Sequence, residues 1–496
     1  INLNSKKLIG KDIIINFDNT SFQKDNEPRL SGNSISVVKD QSIITKGVFT
    51  TCKKNDDCPP WQLTADEIKH DKNKKTINYK KAWLKLYDVP VFYFPRFFHP
   101  DPSVKRQSGF LMPSFQDSTS LGSSFAIPYY NAVSENKDIT FTPRFFSSEK
   151  FLLQTEYREV NKYTEHVVDL SFVQDKNSSN KSHFFTKNTK KLNLSDFVES
   201  EINTQFQYSS DETYLKTYAL KSPIINNTNV LNSSFDFSAY REDLDFNVNF
   251  QIYENLELAD SDKYEYIYPN YNYVKKIQND FNLGGNLTYK SSGNQKHYAT
   301  NTFDKLIVND LLFDSNSTYT NNGFKGDYNV IIKNANIHNN KPNNNKQRNN
   351  KLATMFQYNV SYPLQELSES YKNILNPKIS LKFSPNKTND MSKDSRRIDV
   401  NNIYSFNRLS TNETVESGTS VVYGADFIKT NKLDEEILSL KIANSIRLKE
   451  DNKLPDDSNL NKKMSDIVGN IKFSPSEMLE FNYDFSIDEN LKDNSY

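Results

Sequence analysis

Leu479, Phe481, Tyr483, Phe485 and Ile487 alternate without a break with Glu480, Asn482, Asp484, Ser486 and Asp488. Successive side chains of an extended strand point to opposite faces, so this stretch can only make one apolar face and one polar, unusually acidic face. Phe246, Val248, Phe250 and Ile252 alternate with Asn247, Asn249 and Gln251 in the same way, and Ile379, Leu381 and Phe383 repeat the pattern. The chain therefore reads as all-β, with antiparallel strands separating two unlike environments. Alternation does not say which environments these are, because a soluble sandwich and a barrel in lipid give the same period.

Composition narrows the choice. A chain of 496 residues exceeds one ordinary core and predicts at least two domains. Only 36% of residues are hydrophobic and the mean hydropathy is −0.75, so no run is long and apolar enough for a membrane helix. A helical membrane protein is excluded, whereas a barrel needs only alternate residues apolar. The 28 Tyr and 34 Phe suit such strands and their interfacial girdles, as they suit any large antiparallel sheet. Lys+Arg and Asp+Glu are both 62, and that balance predicts no nucleic-acid partner. With only 13 Gly, Asn has to supply many of the positive-φ turn positions. Ile1 reads like the middle of a strand and no signal peptide starts there, so the chain is expected to be mature or truncated.

The N-terminal region carries a repeat. Leu30-Ser31-Gly32-Asn33-Ser34-Ile35 aligns with Leu63-Thr64-Ala65-Asp66-Glu67-Ile68, and at the same offset Ile44 falls on Ile77. A fainter copy matches Leu8, Ile13 and Ile15 to Leu30, Ile35 and Val37. Each unit is a short strand, a polar turn (Lys39-Asp40-Gln41, or Asp71 to Lys74) and a second strand, which together predict a jelly-roll or solenoid-like rung. One rung cannot bury its apolar face alone, so stacking should align Ile13, Ile15, Ile35, Val37, Ile44, Ile68 and Ile77 into a continuous strip. From the residues alone that strip is a packed core.

From Val89 to Phe115 strand-forming residues are interrupted by Pro90, Pro95, Pro100, Pro102 and Pro113, each removing a ladder donor. On composition this is a proline-rich linker between two β domains. Catalytic constellations are absent from the sequence. It contains no nucleophile elbow, zinc-protease helix motif, phosphate-binding loop or dinucleotide fingerprint, and its six His are scattered. No enzyme, cofactor or metal site is expected.

The junction string is specific. Val89-Pro90 onward, through Pro100-Asp101-Pro102, Lys105-Arg106, Ser108-Gly109-Phe110 and Pro113-Ser114-Phe115, closely resembles the LptD family of outer-membrane proteins at the point where a periplasmic β domain enters a barrel. Further strings resemble the family in its own order. These are Ser209 to Leu215; Asp394-Ser395 with Asn401 to Ser410; Glu416-Ser417-Gly418 with Tyr423-Gly424; and Ser465 to Ile471 with Pro475 and Leu479 to Tyr483. Thr411-Asn412-Glu413 departs from the family run, so a family role for an Arg there is not carried over.

The resemblance implies a periplasmic OstA-like jelly roll over residues 1–88, a junction over 89–115 and a transmembrane β-barrel over 116–496. That barrel is expected to be incomplete, with roughly 16 to 18 strands at ~20 to 25 residues each. It implies lipopolysaccharide transport to the outer leaflet of the outer membrane, with the Ile13 to Ile77 strip as lipid path and lateral exit beside Pro95, Pro100, Pro102 and Pro113. Implied partners are lipopolysaccharide, a plug lipoprotein of the LptE type, a periplasmic bridge of the LptA type and the barrel-assembly machinery. A surface adhesive β protein and a general solute channel are the alternatives. In an envelope protein an even cysteine count favours a Cys52–Cys58 disulfide, ranked above zinc because two further ligands are missing at a suitable spacing. Ile331 to Asn350, rich in Asn, is expected as a mobile connection between strands.

Overall fold

The computed structural model describes residues 7–17, 27–52, 60–101, 104, 106–174, 179–259, 262–278, 284–298, 302–340, 347–387, 389–457, 459–476 and 478–488. Strands make up 66% of the described residues, and the chain divides into two compact units, Ile1–Arg158 with Val173–Ser178, and Glu159–Phe172 with Ser179–Tyr496.

The first unit opens with a six-stranded antiparallel meander of β1 (Lys7–Asn16), β2 (Arg29–Val38), β3 (Gln41–Thr50), β4 (Trp61–Asp71), β5 (Thr76–Leu86) and β6 (Val89–Pro100). Strands that follow one another in the chain pair directly, so the expected rungs are realised as hairpins. Lys39 and Asp40 make the first turn and residues 72–75 a later one, as the polar clusters predict. Every strand leaves a position unpaired at one shared height. Asp12, Asn33, Lys46, Asp66, Lys81 and Pro95 face one another in turn across the sheet, yet none is paired. On β1, β3 and β5 that residue has positive φ: Asp12 at 50°, Lys46 at 47° and Lys81 at 51°. Left-handed residues turn the strand, so the inward face resumes three residues on instead of two. Ile44 and Gly47, Ile68 and Ala65, and Tyr79 and Ala82 all point inward across this line, while Thr45, Lys46, Lys80 and Lys81 between them are exposed.

One consequence is a row of small residues beside the bend, Gly32, Gly47, Ala65 and Ala82, facing in register. A Cβ on Gly32 would lie 2.2 Å from Ile44 Cγ2, and one on Gly47 2.4 Å from Ile68 Cδ1, so both glycines are required by close approach. The next row, Ile35, Ile44, Ile68, Tyr79 and Phe97, fills the core.

Past β6 the first unit continues with β7 (Gly109–Phe110), β8 (Ser114–Gln116), β9 (Ser124–Ala126), β10 (Tyr129–Ser134), β11 (Lys137–Phe146) and β12 (Phe151–Val160). β7 pairs with β10, β8 with β9 and β9 with β11.

The second unit takes up β13 (Thr164–Gln174), β14 (Lys181–Lys191), β15 (Glu199–Ser209), one helical turn, α1 (Tyr214–Thr217), β16 (Val230–Arg241), β17 (Leu244–Asn255), β18 (Tyr264–Ile277), β19 (Gly285–Tyr298), β20 (Phe303–Ser315), β21 (Thr318–Tyr319), β22 (Lys325–Asn340), β23 (Gln347–Ser361), β24 (Leu364–Leu367), β25 (Tyr371–Ser384), β26 (Gly418–Asn431), β27 (Glu436–Arg447), β28 (Ile467–Ser476) and β29 (Leu479–Ile487). From β14 onward the long strands form one antiparallel sheet in chain order.

Among the described residues the strands from β9 onward number 21, more than the 16 to 18 expected after Phe115, because several are fragments of two to four residues and many hairpins are tight. The segment expected as a mobile connection is corrected as well. Ile331 to Asn339 is strand paired on both sides and Gln347 to Asn350 belongs to β23, while residues 341–346 between them lie outside the described residues. Its asparagines bond one another, Asn334 Nδ2 donating across to Asn350 Oδ1 of β23 at 2.9 Å and Asn336 Nδ2 donating along β22 to Asn334 Oδ1 at 2.6 Å. In these two described stretches hydrophilic composition serves a polar sheet face.

Candidate lipid path, junction and inner layer

The predicted strip assembles, with two revisions. Ile35, Ile44, Ile68 and Ile77 are buried, and Ile13, Ile15 and Val37 pack against them in one cluster with Leu30, Phe49, Leu63 and Tyr79. Ile77, however, stands opposite His70 and His99, a row away from Ile44, whose row continues through Tyr79. The faint third copy is an accident of antiparallel pairing, because Leu8 faces Val37 and Ile15 faces Leu30. The Ile77 end of the strip carries polar groups the sequence did not flag. His70 Nε2 lies 2.5 Å from Asp101 Oδ2, both buried, and Tyr79 Oη lies 2.6 Å from His99 Nε2. Burial lowers the pKa of His99, against the carbonyl of Pro100 and the charge of Asp101. Asp101 of the junction is thus anchored in the first sheet, its N–H also donating to Lys75 O at 2.9 Å.

The prolines divide. Pro90, Pro95 and Pro100 sit on β6, which pairs with β5, so Pro95 and Pro100 belong to the first sheet and not to a barrel seam. Among the described residues β6 pairs on one side only, and prolines are tolerated on such an edge because the missing donors would face away from the ladder. The six-stranded sheet accordingly runs to Pro100, beyond the expected boundary at 88. Pro102 and Lys105 lie outside the described residues. Pro113 is exposed between β7 and β8, beside Phe110 at 71% and Met112 at 88% exposure.

Arg106, Ser108, Gly109 and Phe110 fix the junction to the β10–β11 hairpin. Arg106 donates Nε to Tyr130 Oη at 2.9 Å, Nη1 to Glu135 O at 2.6 Å and Nη2 to the buried carboxylate of Asp138, which also takes Arg158 Nε at 2.9 Å. Ser108 Oγ accepts the Ala132 N–H at 2.9 Å, Gly109 faces Tyr130, and the Phe110 ring meets Tyr129 at 5.1 Å. Cys52 is a free thiol, its Sγ 3.7 Å from Trp61 O. Cys58 lies outside the described residues, and the expected disulfide is not shown.

The second unit is polar inside and apolar outside. Along β25, Ser380, Lys382 and Ser384 are buried while Ile379, Leu381 and Phe383 are exposed; along β13, Asp169 and Ser171 are buried while Leu170 and Phe172 are exposed. Behind the strands lies an inner layer built from 385–417 and 448–466. Ile398, Ile403 and Leu460 pack there on Val422, Ala443 and Val468. Its centre is ionic: Glu416 takes Arg408 Nε at 2.8 Å and is also bonded by Arg408 Nη2 and Arg447 Nη1. Burial alone would raise the Glu416 carboxyl, but Arg408, Lys382 and Arg447 outweigh it and hold it down at about 2.

The family-like strings acquire physical roles in this layer. Ser410 Oγ donates to Asp394 Oδ2 at 2.6 Å, a Cβ on Gly424 would lie 2.7 Å from Tyr404 Oη, and Ser486 Oγ donates to Asp466 Oδ2 at 3.0 Å. Tyr214 of α1 is buried with its hydroxyl 2.6 Å from Ser171 Oγ, which lies 2.6 Å from His183 Nδ1. Among the described residues no helix is long and apolar enough to cross a membrane, and no His, Cys, Asp or Glu group could hold a metal ion.

An antiparallel sheet with buried serines, lysine and aspartate and an exposed apolar surface defines a membrane β protein, and it settles the environment that alternation left open. A family model described as LptD: LPS transport system D matches residues 145–496, and the chain belongs to that family. It is 25% identical over 327 residues to the LPS-assembly protein LptD of Pseudomonas putida (strain W619), covering 63% of this chain and 34% of that protein. To the LPS-assembly protein LptD of Shewanella frigidimarina (strain NCIMB 400) it is 40% identical over 116 residues, 23% of this chain and 15% of that one. The chain thus spans about a third of the length of the first of these relatives. A solved bacterial polysaccharide outer membrane secretin matches 54% of this chain and 88% of its own at 9% identity and a TM-score of 0.20.

Proposed function

We propose that this chain carries lipopolysaccharide across the periplasm–outer membrane boundary without catalysis. Acyl chains follow the inner face of the six-stranded sheet, the sugar head enters the polar interior of the second sheet, and the lipid leaves sideways past the short strands around Pro113. The supporting observation is the apolar strip of β1 to β5, held in register within one sheet and continuous in the chain with a sheet of membrane polarity. A strip that carries only lipid tails needs no polar group along its length, and the buried His70–Asp101 pair stands at its Ile77 end. In this reading a plug lipoprotein of the LptE type occupies the lumen, a bridge of the LptA type delivers lipid to the first sheet, and the barrel-assembly machinery inserts the whole in the outer membrane, with the first sheet periplasmic.

Photo-crosslinking side chains at Ile35 and Ile68 test it. They should capture lipopolysaccharide during transport, and capture only at the outward neighbours Ser36 and Lys69 would reject the path.

A further inference from the structure

The outward face of the first sheet changes character along its width. On β1 and β3 it presents aliphatic Ile9, Ile14 and Ile43, exposed at 67%, 68% and 39%, and on β2 and β4 Ser31, Ser36, Thr64 and Lys69. On β5 and β6 it presents Trp83, Tyr93 and Phe98, exposed at 42%, 46% and 56%, with Tyr87 and Val89 at the hairpin. Trp83 and Tyr93 oppose each other in register with ring centroids 5.0 Å apart. None of these side chains serves the inner core, which β6 supplies with Phe94 and Phe97.

We infer that this β5–β6 face docks on the headgroup region of a lipid bilayer containing anionic lipid. Trp and Tyr rings combine an apolar body with a polar edge and concentrate at membrane–water interfaces. Cations stand among them: among the described residues Lys85 and Arg96 have no ion pair, and Lys80 and Lys81 pair with Glu67 and Asp66 of β4 at 2.6 and 3.4 Å. Each such cation near an anionic leaflet adds attraction that falls off within a Debye length. The chain also delivers the face to the membrane. β6 ends at Pro100 and β7 begins at Gly109, a connection that reaches at most ~30 Å when fully extended. A soluble surface would leave contiguous aromatics of this kind in water, which monomeric proteins avoid. The inference rests on the membrane polarity of the later strands and is independent of what is transported.

Because the chain has two Trp residues, Trp61→Phe leaves Trp83 as the only indole. The full chain carrying that substitution is reconstituted in 3:1 phosphatidylethanolamine–phosphatidylglycerol vesicles with or without bromine on the acyl chains near the headgroup. Trp83 emission should fall at least twofold with brominated lipid, and a lone Trp at Ser36, in a Trp61→Phe, Trp83→Phe background, should not respond. Lys85→Glu with Arg96→Glu should weaken the quenching, as should replacing phosphatidylglycerol by phosphatidylcholine. Phe98→Trp in the same Trp-free background gives a second reporter, and should Trp61→Phe fold poorly, the difference in quenching between the unsubstituted chain and Trp83→Phe isolates the same indole. Indoles at 83 and 98 that ignore bromine overturn the inference, whether aqueous iodide reaches them, which means water, or does not, which means that a protein partner or second copy covers the face.

Discussion

Arg408 and Glu416, eight positions apart, meet fork to fork inside the second unit, and Arg447 joins the same carboxylate from β27. The arrangement ties the segment before β26 to the wall behind it. Because Glu416 is held at about 2 in the folded protein, below the ordinary 4.5, it contributes stability that is fully present above pH 4.5 and is lost as pH falls toward 2. Thermal unfolding in detergent should therefore show an acid-labile step in that window, and Glu416→Gln should flatten it. Arg408→Ala, which leaves the buried carboxylate to Arg447, should destabilise by about 1.5–3 kcal/mol, the value of hydrogen bonds to a charged partner. A Glu416→Gln protein with an unchanged acid profile would show that other groups govern the transition.

Gly32→Ala and Gly47→Ala should each destabilise the first sheet by about 1–3 kcal/mol, since the added methyl meets Ile44 or Ile68, both buried at 0% exposure and unable to give way. Combining Gly47→Ala with Ile68→Val should recover part of the loss. Chemical denaturation followed by Trp fluorescence checks both.

Arg106→Ala should loosen the junction by about 1.5–3 kcal/mol, the value of hydrogen bonds to a charged partner, leaving Asp138 with Arg158. Arg106→Lys should rescue little, because an ammonium cannot reach Tyr130, Glu135 and Asp138 together. Faster proteolysis between residues 101 and 108 is the readout, and equal rates in all three proteins would refute the anchoring role.

Pro113 remains the proline of interest for lateral exit. Pro113→Ala restores one donor between two very short strands and should strengthen local pairing by about 0.5–1.5 kcal/mol. Slower appearance of surface lipopolysaccharide from a normally assembled barrel supports exit here, whereas unchanged export leaves Pro113 as a strand terminator.

The apolar strip was legible because the repeat of Leu30–Ile35 in Leu63–Ile68 reports β2 and β4, two strands that run in the same direction with β3 between them. The bend was not, since Lys46 and Lys81 adopt positive φ without being Gly or Asn, under tertiary constraint that no local preference reveals. The boundary at 88 fell short because prolines read as a break in pairing also fit an edge strand. Arg408 and Glu416 lay within quoted strings, yet an ion pair between loop residues has no period to betray it. The asparagine-rich β22 misled for a related reason, since a polar strand face has the composition of a loop.

The unpaired line through Asp12, Asn33, Lys46, Asp66, Lys81 and Pro95 also acts as a gauge. Any strand that extends this sheet along β1 must break its own ladder at the height of Asp12, or it will slip its side chains to the wrong face on one side of the crease. The crease thus sets, in backbone shape alone, the height at which every strand of this sheet turns its side chains over.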